Sequence, residues 1–388
     1  MATTRETKPV DRRLILKGLA LGAAAAALPG VARTSALDAA FAGRASDRDL
    51  EPRTPMPVPL SRPAVWEQLS SIARWAPTPH NTQPLRLVPR DDGTADIVIL
   101  TARMLPREDH GNRYVTSTFG IFASALRRAG EHFGHTVEIS PVSDLDVASL
   151  HSAGPRATLG QARITGRCEQ RSWDLLAARR TSRLPYHDRL VSDASIDSLG
   201  AIARRFGHRL ITTADPATVE ATLHLNATAV VDNLRIDDER DEIGHWTRIG
   251  PTPEYGDGLW QGPMNQPAWE LRAAFRTPDA FRLPGLHRLA VTRYLRTQRG
   301  TRHVGLLCGK FEAWPELVRG GECLLDFWLT MARLEIYMHP MGSLLTGARY
   351  AAEIARRFSV PDCWLIFRFG YSDVPPRSPR LETVVIDE

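Results

Sequence analysis

The chain has 388 residues, 43% of them hydrophobic and 24% charged, with a formal net charge of +5. This composition supports a substantial core and excludes a globally disordered chain, and the length allows two ordinary domains or one large one. Residues 1–42 contain six basic and three acidic side chains, so the remainder carries only +2. That excess is too small to favour nucleic-acid binding.

The first 42 residues have the three-part layout of an export signal. The stretch Asp11–Lys17 resembles a twin-arginine motif, and the apolar run Gly18–Leu28 follows it. That run is too short to span a membrane, and Ala40–Ala42 offers a small-x-small cleavage site. These features predict export by the twin-arginine machinery to the periplasm, cell envelope or exterior, with a mature start at Gly43. If the signal is not used, the protein is cytoplasmic.

Four cysteines occur without a C-x-x-C pair: Cys168, Cys308, Cys323 and Cys363. This spacing does not indicate zinc binding, and no set of His, Asp and Glu has metal-ligand spacing, so we predict no metal site. One disulfide in an oxidising compartment remains open, but sequence spacing does not give its pairing.

Residues 43–60 are rich in Pro, Arg and Asp and are predicted to be an extended linker. Residues 61–170 follow as one α+β unit, because their apolar spacing alternates between helical and strand periods. The predicted helices span residues 62–75 and 115–129, and the predicted strands span residues 85–88, 95–100, 136–140 and 157–165.

Residues 171–388 are predicted to form a second α+β unit. Its predicted helices span residues 174–180, 193–206, 215–234, 321–336 and 346–358, and its predicted strands span residues 209–213 and 363–369. Residues 247–300 are rich in Pro, Gly, Arg and Trp, which is typical of a long insertion that acts as a lid or an interface arm. The two units share a weak common order of helices and strands.

Three separate stretches carry groups that suit a phosphorylated heterocycle. The loop Ala76–Pro84 contains three prolines, which prevent a continuing helix, and its carboxamides suit the alternating donors and acceptors of a flavin edge. The run Arg179–Arg183 and the pair Arg377 and Arg380 offer guanidinium groups, which bind phosphate bidentately. Each stretch alone is also typical of an ordinary connection or a solvated surface.

Together the three stretches resemble the nitroreductase-like FMN proteins. Residues 76–84, APTPHNTQP, resemble the family's A-P-S-x-x-N-x-Q-P loop. Residues 179–183, RRTSR, resemble its R-x-[ST]-x-[RK] phosphate signature, and residues 369–380 resemble its closing strand, glycine, proline-rich turn and basic pair. The order of loop and signature is reversed from ordinary members, as in the tandem, single-chain branch that includes the mycobacterial Acg proteins.

The resemblance implies a nitroreductase-like α+β fold in which two tandem units form a single-chain pseudo-dimer. In ordinary members each flavin site of an intertwined homodimer takes the arginine signature from one subunit and the loop from the other. Here both elements lie in one chain, so we expect one FMN site and a monomer in preference to an obligate homodimer.

The resemblance also implies the cofactor-binding residues. The FMN phosphate would be held by Arg179, Thr181 and Arg183, with help from Arg377 and Arg380. The ring and ribityl chain would lie along Pro77, Thr78, Asn81 and Gln83. The opposite side of the ring would be near His339, Pro340 and Met341. His80 is either a donor to the flavin or the substrate, or a structural histidine. Thr78 and Leu85 depart from the Ser and Trp that the family often has.

The implied activity is that of an FMN-dependent oxidoreductase, which passes a hydride through bound FMN to a nitroaromatic, quinone or similar acceptor. FMN carries the chemistry, so no catalytic side chain is required. The family's usual donor, NAD(P)H, is scarce outside the cytoplasm. The alternative is a protein that binds or stores FMN without reductase turnover, and a third reading is a dehydrogenase of a peptide or small metabolite.

Overall fold

The structure is a computed structural model that describes residues 62–250 and 255–387. The predicted signal, residues 1–42, and the predicted linker, residues 43–60, lie outside these ranges. Within them the chain mixes helices and antiparallel sheets, which confirms the predicted α+β class. None of the described helices combines the length and the apolar character that a membrane span requires.

Residues 62–167 form two long helices and a four-stranded sheet. In chain order the elements are α1 (Arg62–Ala73), β1 (Leu85–Pro89), β2 (Ala95–Leu100), α2 (Arg113–His132), β3 (His135–Pro141) and β4 (Arg156–Arg167). The strand order is β1-β2-β4-β3, and each neighbouring pair is antiparallel. Helix α2 packs against this sheet, and fourteen of its residues are buried.

The second half starts with α3 (Asp174–Ala178), α4 (Asp193–Arg205) and β5 (Arg209–Thr213). A long connection follows, with α5 (Pro216–Asn233), α6 (Asp237–Trp246), β6 (Thr247–Arg248), β7 (Leu259–Trp260), α7 (Gln261–Met264), α8 (Ala268–Arg276) and α9 (Pro284–Thr297). The chain ends with β8 (His303–Cys308), α10 (Trp314–Arg333), β9 (Tyr337–Pro340), α11 (Ser343–Thr346), α12 (Ala348–Phe358) and β10 (Cys363–Gly370). The second sheet has the order β5-β8-β10-β9 and is also antiparallel.

The two halves share one topology. In both halves the shared elements come in the order helix, strand, strand, helix, strand, strand. They are α1-β1-β2-α2-β3-β4 in the first half and α4-β5-β8-α10-β9-β10 in the second. The spatial strand order is also the same once equivalent strands are matched. This repetition is the pattern expected of two tandem units, while the predicted boundaries at 61–170 and 171–388 stay a prediction.

Helices α2 and α10, which are equivalent in this repeat, pack against each other through a pair of glycines. A Cβ added at Gly120 would lie 2.0 Å from the carbonyl oxygen of Val318, and one added at Gly321 would lie 2.1 Å from that of Ser117. Each glycine is the eighth residue of its 20-residue helix. The absence of a side chain at both positions therefore lets the two backbones touch.

The segments that follow β4 and β10 each reach the sheet of the other half. Thr181, which follows β4, forms a parallel bridge with Met338 of β9, and Val385, which follows β10, forms one with Leu87 of β1. This exchange interleaves the two halves. It also carries the arginine run and the C-terminal arginine pair away from the sheets that precede them.

Two large hydrophobic clusters organise the core of the described residues, and a third, small one lies between α5 and α9. The main cluster takes residues from α1, α2 and α10 and from both sheets. The second cluster fills the space between the second sheet and helices α5, α11 and α12. Both clusters contain large aliphatic and aromatic side chains whose burial is the dominant favourable term for folding.

Several elements differ from the sequence-based expectation, among them β9 and the helices of the 247–300 insertion, which lie in no predicted element. Strand β8 lies in none of the predicted elements, although all six of its residues are buried. The helix predicted at 346–358 is interrupted at Gly347, whose ψ of 118° is not helical. The helix predicted at 321–336 begins earlier, at Trp314, because Pro315 suits the first turn and Glu316 accepts the amide of Ala313 at 3.0 Å.

Candidate functional site

The loop between α1 and β1 has an uncommon backbone conformation. Residues Pro79–Asn81 form a single 3₁₀ turn, and His80, Asn81 and Gln83 have φ angles of 46°, 54° and 48°. A non-glycine residue with positive φ costs about 1 kcal/mol or more, so three of them within four residues need support from surrounding bonds. Part of it comes from Thr78, whose Oγ1 accepts the amide of Gln83 at 3.0 Å.

The side chain of Asn81 bonds to the protein with both of its polar atoms. Its Nδ2 donates to the carbonyls of Pro379 at 3.0 Å and Gly258 at 3.2 Å. Its Oδ1 accepts from Arg380 at 2.9 Å. Asn81 therefore joins the loop to the C-terminal tail and to the 247–300 insertion.

Gln83 makes the same kind of connection. Its Nε2 donates to the carbonyl of Gly256 at 2.7 Å, and its Oε1 accepts the amide of Leu381 at 3.0 Å. The next residue of the insertion, Asp257, is buried and forms ion pairs with Arg103 and Arg248 at 2.9 Å each. In this structure the two predicted flavin-binding carboxamides thus hold the insertion and tail on the loop.

His80 forms an ion pair with Glu108, with 2.9 Å between Nε2 and Oε2. Burial by itself lowers the pKa of His80, but Glu108 outweighs burial and the pKa is raised. Burial raises the pKa of Glu108, and the charge of His80 outweighs that effect, so this pKa is lowered. The pairing accounts for Nε2 only, because Nδ1 of His80 is buried and has no hydrogen-bond partner among the described residues, so the structural role and the donor role both stay predictions.

Arg179, Arg377 and Arg380 gather beside two tryptophans. The guanidinium of Arg179 lies 4.6 Å from the ring centroid of Trp328, and those of Arg377 and Arg380 lie 5.3 and 5.6 Å from that of Trp75. Arg179 is only 7% exposed. Its Nε and Nη1 are buried and have no hydrogen-bond partner in the described part of the chain. We call these three residues the arginine cluster.

The arginine cluster holds like charges together, with Arg179 buried and Arg377 and Arg380 partly exposed. Burial lowers the pKa of Arg179 well below its usual value, and the charges of Arg380, Arg377 and Arg180 lower it further. Burial lowers the pKa of Arg380 to about 9, and Arg377 and Arg74 add to that effect. A buried charge without a partner is destabilising by roughly 3–5 kcal/mol. The arrangement therefore suits an anion, and phosphate matches the fork of a guanidinium.

Arg183 lies apart from the arginine cluster, on the side of the insertion. It donates to the carbonyl of Pro263 at 3.3 Å. Burial is the main cause that lowers the pKa of His339, and the charge of Arg183 lowers it further. The same charge also acts to lower the pKa of His80, against the net rise of that pKa. Thr181 lies between these two groups and is attached to β9 through its backbone.

His339 is buried in a cationic setting. Burial, followed by the charges of Arg183 and Arg368, lowers the pKa of His339 well below its usual value, so the imidazole is neutral. Its Nδ1 accepts from Nε of Arg368 at 3.3 Å, which leaves the ring hydrogen on Nε2. Pro340 is half-buried on the same strand, whereas Met341 packs in the second cluster. A contact between Met341 and a flavin ring stays a prediction.

Arg368 is a residue of this region that sequence reasoning missed. It is fully buried, donates to the carbonyl of Leu184 at 3.0 Å, and lies 4.3 Å from the ring centroid of Tyr186. A signal for it exists, because it is the only charged residue in the otherwise apolar strand β10. Trp75 was also missed, although it directly precedes the loop.

Two surface cavities, of about 470 and 360 Å³, lie among other elements. The first is lined by residues of α6 and α8 and the segment near β6, and the second by residues of α5 and α12. None of the predicted FMN-binding residues lines either cavity.

Comparison with known proteins gave matches among solved structures alone, since neither a protein-family model nor a curated protein matches the chain. The chain is similar to the FMN-dependent nitroreductase NfnB from Mycobacterium smegmatis in complex with NADPH, with 18% identity, 53% of this chain and 92% of that chain covered, and a TM-score of 0.30. It is similar to the FMN and NADPH-dependent nitroreductase NfnB from Sphigopyxis sp. strain HMH, with 16% identity, coverage of 54% and 93%, and a TM-score of 0.31. A nitroreductase with bound FMN from Desulfitobacterium hafniense DCB-2 matches with 15% identity, coverage of 54% and 95%, and a TM-score of 0.32.

Proposed function

We propose that the chain binds FMN and acts as an oxidoreductase of the nitroreductase type, with a nitroaromatic, quinone or similar acceptor. The proposal rests on the three stretches that resemble the nitroreductase-like proteins and on their meeting in the fold. The loop Ala76–Pro84 touches the C-terminal tail through Asn81 and Arg380, and Arg380 acts on the pKa of Arg179. The first and third stretches are thus in contact, and the second lies within electrostatic reach.

The observation that carries the proposal is the buried guanidinium of Arg179 with two nitrogens lacking a partner among the described residues. Two further arginines, Arg377 and Arg380, lie beside it. Charge of one sign in a poorly solvated place is stabilised by a bound group of the opposite sign. A phosphate monoester supplies two negative charges and several acceptors, so the phosphate end of FMN fits the arginine cluster.

In this proposal the residues of the chain bind FMN and orient it. Arg179 and Arg380 hold the phosphate, and the neutral His339 keeps a donor on Nε2 near Arg183. The aromatic faces of Trp75 and Trp328 support the guanidinium groups from the other side. Bound FMN supplies the two-electron redox chemistry between donor and acceptor.

The electron donor depends on where the protein works. We propose that the twin-arginine signal is used and that the protein works outside the cytoplasm, where NAD(P)H is scarce, so the physiological donor is another reductant. Cell fractionation with detection of a shortened chain starting near Gly43 tests this. A full-length protein found only in the cytoplasm would overturn it.

A second candidate, a protein that binds or stores FMN without turnover, is favoured by the way the insertion packs. Asn81 and Gln83 bond to Gly258 and Gly256, and Asp257 anchors the same segment through its two ion pairs. These bonds hold the insertion where a substrate would approach the loop. The Asp257→Asn variant weakens that anchor and should raise turnover if the insertion restricts access.

The experiment that tests the proposal is an absorbance spectrum of the purified full chain, before and after incubation with FMN. We expect flavin bands that persist after gel filtration. A colourless protein that cannot be reconstituted overturns FMN binding itself. For a reconstituted protein, steady oxidation of NADPH with a quinone supports the oxidoreductase, and tight FMN without turnover supports storage.

A further inference from the structure

Cys308 and Cys363 lie opposite each other in the second sheet. Cys308 is the last residue of β8 and Cys363 the first of β10, and their Cα atoms are partners at the end of the antiparallel ladder, next to an irregularity where the register shifts between Cys363 and Leu365. The amide of Gly309 donates to the carbonyl of Asp362 at 2.9 Å, which is the bond that flanks a non-hydrogen-bonded pair. In such a pair the Cα atoms are about 4.5 Å apart and the side chains share one face of the sheet.

We propose that Cys308 and Cys363 form a cross-strand disulfide when the protein is in an oxidising compartment. A Cα separation of about 4.5 Å lies within the range of natural disulfides, so the bond forms without a change of register. Both side chains also contribute to the second cluster, which keeps them on the same side of the sheet. The other two cysteines lie elsewhere, with Cys323 inside α10 and Cys168 just after β4.

The two thiols already influence each other. The hydrogen bond with the thiol of Cys363 is the main cause that lowers the pKa of Cys308, and the charge of Arg209 contributes, against burial and Asp362. The same interaction, followed by burial, raises the pKa of Cys363. Tyr114 is a further titratable neighbour. Burial is the main cause that raises its pKa, and the charge of Cys363 contributes to the rise. The pair therefore behaves as a unit that gives up its first proton more readily than its second.

Exposure assigns the roles in thiol–disulfide exchange. Cys308 is fully buried, whereas Cys363 is half-buried. With a small disulfide such as oxidised glutathione, Cys308 first loses its proton to solvent, and its thiolate then takes the proton of the more exposed Cys363. Sγ of Cys363 attacks one sulfur of the glutathione disulfide and expels one glutathione thiolate, which takes a proton from solvent. Sγ of Cys308 then attacks Sγ of Cys363 in the mixed disulfide and expels the second thiol. The protein dithiol is oxidised by two electrons, and the glutathione disulfide is reduced to two thiols.

The bond would close residues 309–362 into a covalent loop. That loop contains α10 and β9, which carry Trp328 and His339 of the candidate site. Loop closure stabilises mainly by restricting the unfolded chain. The inference does not depend on the proposed function, because it rests on strand register alone.

The test uses the full chain, incubated at about pH 8 with oxidised glutathione, then alkylated and digested without reductant. We expect the number of free thiols to fall from the four in the sequence to two, a peptide that joins Cys308 to Cys363, and a rise in Tm of about 5 °C. Four remaining thiols, a bond to Cys168 or Cys323, or only a glutathione adduct on Cys363 would overturn the proposal.

Matched variants check the order of events. Cys308→Ala should stop at a glutathione adduct on Cys363, Cys363→Ala should give no bond between these strands, and Cys168→Ala should still form the bond. Should a core variant fail to fold, the peptide map of the unmodified chain decides alone. A bond in Cys363→Ala that joins Cys308 to Cys168 or Cys323 with the same yield would show that the pairing of Cys308 with Cys363 is not specific and that the assignment is wrong.

Discussion

Replacing Arg179 by alanine should change the free and the FMN-loaded protein in opposite directions. In the free protein the guanidinium is buried and two of its nitrogens lack partners among the described residues, so its removal takes away an unfavourable charge. In the loaded protein the same nitrogens would bind the phosphate, so its removal takes away binding energy. A residue with a purely structural role would not show this reversal.

The expected magnitude follows from the contacts. Two charge-assisted hydrogen bonds are worth about 1.5–3 kcal/mol each, so Arg179→Ala should weaken FMN binding by at least about 100-fold. In the free protein the lost contact with Trp328 costs about 1–2 kcal/mol, which offsets the relief of burying an unpaired charge. The free energy of unfolding of the free protein should therefore rise, by at most a few kcal/mol.

The assay combines FMN titration followed by flavin fluorescence with thermal unfolding, with and without saturating FMN. Arg179→Lys keeps the charge but lacks the planar fork, so it should bind FMN more weakly than the original and more tightly than Arg179→Ala. Arg163→Ala removes an exposed arginine of β4 and serves as the control for a simple loss of charge.

Two results would refute the reasoning. Unchanged FMN affinity in Arg179→Ala would show that the phosphate is bound elsewhere. A loss of several kcal/mol in the free protein would show that Arg179 supports the fold through its contact with Trp328, and the arginine cluster would then be structural.

Three further predictions concern the loop and the helix crossing. Gly120→Ala should destabilise by about 3 kcal/mol or more in chemical denaturation, because its Cβ meets backbone at 2.0 Å, whereas Gly200→Ala, whose Cβ meets only the end of an arginine side chain, should be neutral or stabilising. Asn81→Gly loses the side-chain bonds, but glycine adopts the positive φ without strain. Asn81→Ala loses the same bonds and strains the backbone, so it should be less stable than Asn81→Gly by about 1 kcal/mol. The ion pair of His80 and Glu108 should stabilise most between about pH 4.5 and 6.5. The raised pKa of His80 means that its contribution is lost as pH rises through that pKa, and the lowered pKa of Glu108 means that its contribution is lost as pH falls through that one. The stability difference between His80→Gln and the original should accordingly disappear at high pH, and a difference that persists there would contradict the ion-pair assignment.

Local sequence signals were sufficient for elements whose own residues set their limits. Asp215 and Pro216 predict the start of α5, and the structure shows Asp215 accepting the amide of Thr218 at 2.8 Å. The short apolar run from Ala95 to Leu100, which is rich in β-branched residues, predicts β2 with the observed limits. These are short-range effects of capping and of burial on a pleated surface, and they do not require knowledge of the partner element.

Elements that depend on distant partners were not predictable in the same way. The run His303–Cys308 is short and apolar between Gly300 and Gly309, a pattern that does not separate a buried strand from a buried helical segment, so only its pairing with β5 and β10 identifies it as a central strand. Gly120 and Gly321 look like ordinary helix residues in the sequence. Their importance lies in the approach of two backbones from different halves of the chain.

The sequence by itself determined the α+β class, the loop Ala76–Pro84 and the arginines suited to an anion, because these follow from local periodicity and from the chemistry of side chains. Only the tertiary structure decided how those groups are used. It brought Arg179 and Arg380 together with no carboxylate paired to either one among residues 62–250 and 255–387, joined Asn81 and Gln83 to the insertion and tail, and placed Cys308 opposite Cys363. The reason is physical: a hydrogen bond, a like-charge contact or a strand register is a relation between positions far apart in the chain, which no single stretch of sequence contains.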